Sequence, residues 1–355
     1  MRPTLREVAH AARVSIKTVS RVLNEEPHVS EEKRRKVFEA VERLGFRPNV
    51  QARRLKQNLD RSYLIGLLYD NPTAHYVSKL LVGTLERCDE AGYRLVVECV
   101  PSEREGHEAK PSAAFLARDD LDGVILTPPL SDDLELVAAL EARDQTIIRI
   151  TPFLERERTP SVYMHDFEAA RRVTEHLLDL GHRRIAHITG PANHGSSEER
   201  REGFLAATRA AGLREGEVTV VTGDYTFAGG RSGAQQLLAN HEIRPTAIFA
   251  ANDEMAIATL FAAQTFSLRV PEDLSVAGFD DLPFASLIEP HLTTIRQPLH
   301  ELAEAAAGLL ISLKEDGGPA LGTPPSIEVP FEFVHRASTR AFLGEEKGAE
   351  NTRTS

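Results

Sequence analysis

The chain has few of the features that would commit it to an oxidising, membrane or catalytic setting. Only Cys88 and Cys99 occur among its 355 residues. Neither sits in a C-x-x-C or metal-type spacing, so a reduced, cytoplasmic location is expected. No apolar run approaches the roughly 20 residues of a membrane span, and the N-terminus lacks the apolar stretch of a secretory signal, so no membrane partner is expected. No G-x-G-x-x-G follows a predicted strand, and neither a G-x-x-x-x-G-K-[ST] nor a G-x-S-x-G pattern occurs, which argues against dinucleotide, phosphoryl-transfer and hydrolase chemistry. His300-Glu301-Leu302-Ala303-Glu304 begins like H-E-x-x-H but places Glu where the second zinc ligand must stand. His176, His182, His187 and His194 are spread over a predicted helix, turn and strand, so they read as satisfied or solvent-facing side chains rather than ligands. No catalytic residue, metal or cofactor is expected.

Charge, by contrast, is present and unevenly spread. Residues 1–60 hold 14 Lys and Arg against 8 Asp and Glu, the remainder 28 against 45, and the whole chain carries −11. A basic N-terminal module on an acidic body confines polyanion binding to one end. At 355 residues the chain also exceeds a single core and predicts two or three domains.

The basic end reads as three helices. Leu5, Val8 and Ala9 form one apolar stripe and Val14, Val19 and Val22 another, with a turn near Ala12–Val14 and Ser15 placed as N-cap of a helix over about Ile16–Leu23. The outer face of that second helix presents Ile16, Lys17, Thr18, Ser20 and Arg21, a mixture suited to phosphates and base edges in a major groove. Ser30–Leu44 is a third amphipathic helix turning Val37, Ala40, Val41 and Leu44 inward. The run TVSRVLN, then GFRPN, then Ala52-x-x-Leu55 resembles the headpiece and hinge of the lactose/galactose repressor family over residues 4 to 56. The resemblance implies DNA contacts from Thr4, Ser15 and Asn24 in addition to that outer face, with Arg21 reaching either a base or the backbone. In the hinge it implies contacts from Asn49, Ala52 and Leu55. The family usually has Gly in the turn where this chain has Arg13, so the turn either differs subtly or gains a phosphate contact.

From Tyr63 onward, short apolar runs alternate with helical segments. Strands are predicted at YLIGLLYD, YRLVVECV, Gly123–Thr127, Thr146–Ile150, Ile185–Thr189, Val218–Thr222, Ala247–Ala250 and Leu274–Gly278. Helices intervene at Val77–Ala91, Asp132–Arg143, Asp166–Leu180, Ser197–Ala211, Gly229–Asn240, Asp253–Phe266 and Leu299–Lys314. This alternation predicts an α/β core of two doubly wound parallel sheets. The resemblance implies that the core is periplasmic-binding-protein-like, two lobes joined by three crossings near Ser161–His165, His291–Thr294 and Thr323–Ile327. The domain reading is thus an all-α helix-turn-helix headpiece (1–46), a hinge (47–60) and a two-lobed core (61–341). Its N-lobe is about 61–162 and 292–323, its C-lobe about 163–291 and 324–341. Residues 342–355 are polar, aperiodic and without a heptad, hence a disordered tail that indicates no coiled-coil tetramer.

Open parallel sheets bind ligands beyond the C-terminal ends of their strands. The residues found there include Asp70, Asn71, Thr127, Arg200, Tyr225, Asn252 and Asp280, all suited to hydroxyl groups. The resemblance places the effector on Arg200, Asn252 and Asp280, makes Tyr225 the stacking residue, and sets Gln297 near the pocket. Asp253 and Asp281 read as N-caps, and Asp70 as either a cap or a ligand-binding group. The leading functional reading is a transcriptional regulator, most simply a repressor of carbohydrate-utilisation genes. It would bind palindromic operator DNA as a homodimer and sense a small sugar or sugar derivative. A purine-type corepressor-dependent repressor is the alternative. A solute-binding protein is disfavoured by the basic headpiece, and a sugar kinase by the missing phosphate loop.

Overall fold

Val8, Ala9 and Ala12 recur at helical spacing and are buried against Val19, Val22, Val37 and Ala40. Three helices result: α1 (Leu5–Ala12), α2 (Ile16–Leu23) and α3 (Glu31–Leu44). The computed structural model describes residues 5–23, 29–44, 61–71, 73–100, 113–192, 194–241, 243–316 and 322–343. They fall in two compact units, Met1–Ser62 and Tyr63–Ser355. Thr4, Asn24 and the whole predicted hinge, with Asn49, Ala52 and Leu55, lie outside the described residues. In the turn, Arg13 has φ 53°, the left-handed conformation that the usual glycine would adopt freely. Val14 N donates to Ala9 O at 3.0 Å and closes α1. Such a residue costs about 1–2 kcal/mol in that region, which the buried cluster of three helices must outweigh.

The second unit runs β1 (Leu64–Tyr69), α4 (Ala74–Glu90), β2 (Arg94–Cys99), α5 (Ala113–Leu116), β3 (Gly123–Leu126), α6 (Leu134–Glu141), β4 (Ile147–Ile150) and β5 (Ser161–Tyr163). It continues with α7 (Asp166–Asp179), β6 (Ile185–Thr189), α8 (Gly195–Ala210), β7 (Val218–Thr222), α9 (Phe227–Leu238), β8 (Ala247–Ala250), α10 (Asp253–Thr265) and β9 (Ser275–Ala277). The chain then forms β10 (Thr294–Arg296), α11 (Leu299–Glu315), β11 (Ser326–Glu328) and β12 (Glu332–Val334).

One sheet has the order β11-β5-β4-β3-β1-β2 and the other β7-β6-β8-β9. Every neighbouring pair in both is parallel. Continuous apolar runs such as Gly123–Leu126 and Ala247–Ala250 are buried along their whole length, as helices on both faces require. In each sheet the chain starts in the interior and later strands are added on both sides, so the crevice where strand order reverses lies beside β1 in one lobe and β6 in the other. The two doubly wound sheets match the expected class.

Several predicted elements are adjusted. The single helix predicted over Asp132–Arg143 is a 3-10 turn followed by α6, because the Asp133 carboxylate accepts from Leu136 N at 2.9 Å and starts a new helix. β11, expected in the C-lobe, pairs with β5 at the edge of the first sheet, while β10 pairs antiparallel with β12. Phe342, expected in a disordered tail, donates its backbone N–H to Leu180 O at 2.8 Å and packs its ring 5.7 Å from His182.

Candidate functional site

The outer face of α2 is built by its own cap. Ser15 Oγ accepts from Thr18 N at 3.1 Å and lies 2.9 Å from Thr18 Oγ1, which fixes the first turn of the helix. Val19 and Val22 point into the headpiece core, so Ile16, Lys17 and Arg21 are left exposed, with Thr18 and Ser20 half-buried beside them. These residues, expected on the outer face of the helix, thus lie together on the side of α2 turned away from the headpiece core.

The second site is a cavity, partly open to solvent, between the strand ends of the two sheets. Asn71 follows β1, Pro128 follows β3 and Asn252 follows β8, so the cavity sits at the strand-order reversals where parallel sheets expose a crevice. Of the residues expected from sequence, it gathers Asn71, Arg200, Tyr225, Asn252, Asp280 and Gln297. Asp70 and Thr127 do not line it. Thr127 is buried and its hydroxyl donates to Leu68 O at 3.2 Å, tying β3 to β1. Asn71, expected beside Asp70, does reach the cavity, and after β3 it is Pro128 rather than Thr127 that does.

Arg200 is 4% exposed. Its Nε donates to Asp166 Oδ1 at 2.7 Å and its Nη1 to Ala251 O at 2.6 Å. The guanidinium lies 3.7 Å from the Phe279 ring centroid, so it is clamped in place by stacking as well as by hydrogen bonds. Burial works against its charge, yet Asp166, Tyr225 and Asp280 more than restore it, and its pKa is raised. α8 reaches this position because Gly203, one turn on from Arg200, lets it pack tightly on α7; a Cβ there would stand 2.2 Å from Phe167 O.

Asp280 occupies φ 127°, a region disfavoured for any side chain and held here by its N–H bond to Ile295 O at 2.8 Å. Strain of this kind is retained where surrounding structure over-determines the backbone, which is common at binding sites. Burial pushes the Asp280 carboxyl up to about 8, opposed by Arg200 and reinforced by Asp253. Gln297 donates its amide to Asp280. Tyr225 adopts φ 65°, and its backbone is held by Asn252, whose Nδ2 donates to Tyr225 O at 2.9 Å. Its ring fills the space beside Gly190, where a Cβ would lie 2.2 Å from the ring.

Two capping assignments change. Asn252, not Asp253, caps α10 by accepting from Met255 N at 2.9 Å. Asp253 instead accepts from Thr294 Oγ1 at 2.6 Å and Leu282 N at 2.7 Å, with burial pushing its pKa up to about 7. Asp281 caps no helix; it pairs with Arg296 at 2.7 Å and Arg336 at 2.5 Å.

Sequence reading missed Thr73, Tyr76, Thr151, Asp166, His194 and Ser196, all of which line the cavity. Asp166 had a usable signal, since it follows a predicted crossing strand directly. His194 was set aside with the other histidines; burial, with Arg200 nearby, lowers its pKa to about 4 and keeps it neutral. The others are satisfied as expected in part: His182 meets Thr246 and Ser275 hydroxyls at 2.9 and 3.0 Å, and His187 Nδ1 donates to Phe249 O at 2.9 Å. Its Nε2 has no partner among the described residues. His300 pairs with Glu86 at 2.8 Å, and no group able to hold a metal is found among the described residues.

The helix predicted over Val77–Ala91 forms as α4, and its apolar residues divide. Val77, Leu80 and Cys88 are buried within the unit, whereas Val82 and Leu85 are exposed. No helix among the described residues is long and apolar enough to cross a membrane.

A family model described as "Bacterial regulatory proteins, lacI family" matches residues 4–49, and one described as "Periplasmic binding protein-like domain" matches residues 174–339. The ribose operon repressor of Escherichia coli strain K12 is 36% identical over 312 residues, 87% of this chain and 92% of that protein. A solved structure of the lac repressor dimer bound to operator and the anti-inducer ONPF superposes with TM-score 0.74 at 31% identity, covering 96% of this chain and all of that one. A LacI family transcriptional regulator from Enterococcus faecium, with bound ribose, has TM-score 0.68 at 25% identity, covering 79% of this chain and 99% of that one.

Proposed function

The chain belongs to the lacI family of bacterial regulatory proteins and is a DNA-binding repressor of that family; on that premise, we propose how its two sites divide the work. The headpiece docks α2 in the major groove of one half of a palindromic operator, with Ile16 and Lys17 opening the helix toward base edges and Arg21, Ser15 and Thr18 holding the backbone. A homodimer supplies the second half-site. The cleft between the lobes takes a small carbohydrate, and lobe closure around it sets the affinity of the headpieces for DNA.

The observation that carries the effector reading is the convergence of Arg200, Asp280, Asn252 and Gln297 on one cavity, each oriented by a second group rather than left to rotate. Fixed carboxyl, amide and guanidinium groups match a ring of hydroxyls, and fixing them in advance spares the ligand the cost of ordering them. The ribose repressor and the ribose-bound relative make a pentose the first sugar to test. A ligand changes operator affinity only through its unequal affinity for the two lobe arrangements, about 1.4 kcal/mol for each tenfold change. The test is fluorescence anisotropy of the full chain on operator DNA, with and without a panel of pentoses, hexoses and disaccharides. At least one sugar should move the midpoint. A midpoint indifferent to every sugar but moved by hypoxanthine would establish the purine alternative in its place.

A further inference from the structure

We infer that the cleft selects an uncharged sugar over the phosphorylated or carboxylated form of the same sugar. This rests on the effector reading above and adds the charge the ligand must carry. The lining holds one cation, Arg200, against two carboxyls, Asp166 and Asp280. Asp166 is 1% exposed and accepts from Arg200 Nε at 2.7 Å, while Nη1 is engaged by Ala251 O. Each fork of the guanidinium therefore has one nitrogen already committed, which leaves a donor for a hydroxyl oxygen but no whole fork for two phosphate oxygens.

Among the described residues, nothing else on the walls supplies positive charge. Asn71, Thr73, Tyr76, Ser196, Asn252 and Gln297 are neutral groups. His194 is kept neutral by burial beside Arg200. Behind Asp280 stands a third carboxyl, Asp253, buried and held by Thr294 and the Leu282 N–H.

Several helices begin around the cavity, and helix N-termini attract anions. Three of those ends are already offset by their own first-turn acids: Asp166 and Glu168 on α7, Glu198 on α8, Asp253 and Glu254 on α10. α4 starts without one, as does α9, whose first residue follows the lining Tyr225 by two. The one lining cation is already paired with Asp166, so a phosphate dianion would give up its hydration and find no free positive charge to replace it. A neutral ring meets donors and acceptors in balance.

The test is titration calorimetry at neutral pH on the full chain with D-ribose, D-ribose 5-phosphate, D-glucose and D-glucose 6-phosphate, extended to the sugar that proves active on operator and its phosphate ester. The free sugar should bind at least about 100-fold more tightly than its ester, the scale of a buried like-charge clash. Asp166→Asn removes one carboxyl and should narrow that ratio by about tenfold, with its fold checked by circular dichroism. Asp280→Asn, which leaves the Arg200 pair intact, should narrow it as well in titrations repeated above pH 8, where the Asp280 carboxyl is ionised. An ester that binds as tightly as its free sugar, or a ratio unmoved in both variants, overturns the charge selection while leaving a sugar-responsive repressor standing. Binding of neither free sugars nor esters overturns the effector reading itself.

Discussion

The two walls of the cleft are built on different principles. The C-lobe wall, with Arg200, Tyr225, Asn252 and Asp280, is charged, buried and locked by its own hydrogen bonds and by stacking on Phe279. The N-lobe wall, with Asn71, Thr73, Tyr76, Pro128 and Thr151, holds no charged group among the described lining residues. Its main internal tie is Asn71 Oδ1 accepting from Thr73 N at 2.8 Å, which shapes the start of α4. A wall that is fixed and polar binds and orients, whereas a wall of neutral groups can close over a ligand without paying a large desolvation cost. On the proposed effector reading, the difference gives grip to one lobe and closure to the other.

Arg200→Ala is the most severe way to break that comparison. It strands Asp166 as a buried unpaired carboxylate, so urea denaturation should show a loss of about 3–5 kcal/mol and the operator response to sugar should vanish. Normal stability in this variant would mean that the ion pair does not organise the C-lobe wall.

Asp280→Ala comes next. Losing an acceptor for hydroxyls should weaken effector binding by about 2–3 kcal/mol while operator affinity without sugar stays unchanged. A parallel loss of operator binding in the absence of sugar would show that the strained Asp280 backbone serves the fold instead of the ligand.

On the opposite wall, Asn71→Ala should cost about 1 kcal/mol in effector affinity, the worth of one neutral hydrogen bond. If it costs as much as Asp280→Ala in the same calorimetric titration, the asymmetry between the walls is wrong.

The mildest probe is acidity. His176, His187 and His194 all belong to the C-lobe, and burial, first among the causes, lowers each to about 4. A histidine held below its ordinary value stabilises the fold above about 6.5, and that contribution is lost as pH falls toward 4. Asp280 and Asp253 act in the opposite sense. Pushed up to about 8 and 7, they favour the fold below their ordinary range and lose that contribution as pH rises through neutrality. Hydrogen exchange followed from pH 6.5 to 5 should show β6 and α7 losing protection before β1 and β3. Equal loss in both lobes would remove the asymmetry.

Much of this molecule is visible in the order of its residues because the relevant physics is local. The periodicity of Val8, Val19 and Val22 and the cap at Ser15 determine the headpiece helices, and an apolar run that alternates with helical segments can only become a parallel sheet with covered faces. Arg200, Asn252 and Asp280 were found because they stand at strand ends or in short motifs. What tertiary structure alone decided is which neighbour of a strand end faces the ligand. A shift of one residue reverses side-chain direction, so of the expected pair Asp70 and Asn71 only Asn71 reaches the cavity, and Pro128 does so in place of Thr127. It also decided the pairing of Asp166 with Arg200, 34 residues apart, and the burial that neutralises His194. Charge compensation and desolvation depend on which distant segments are packed together, and no spacing along the chain encodes them.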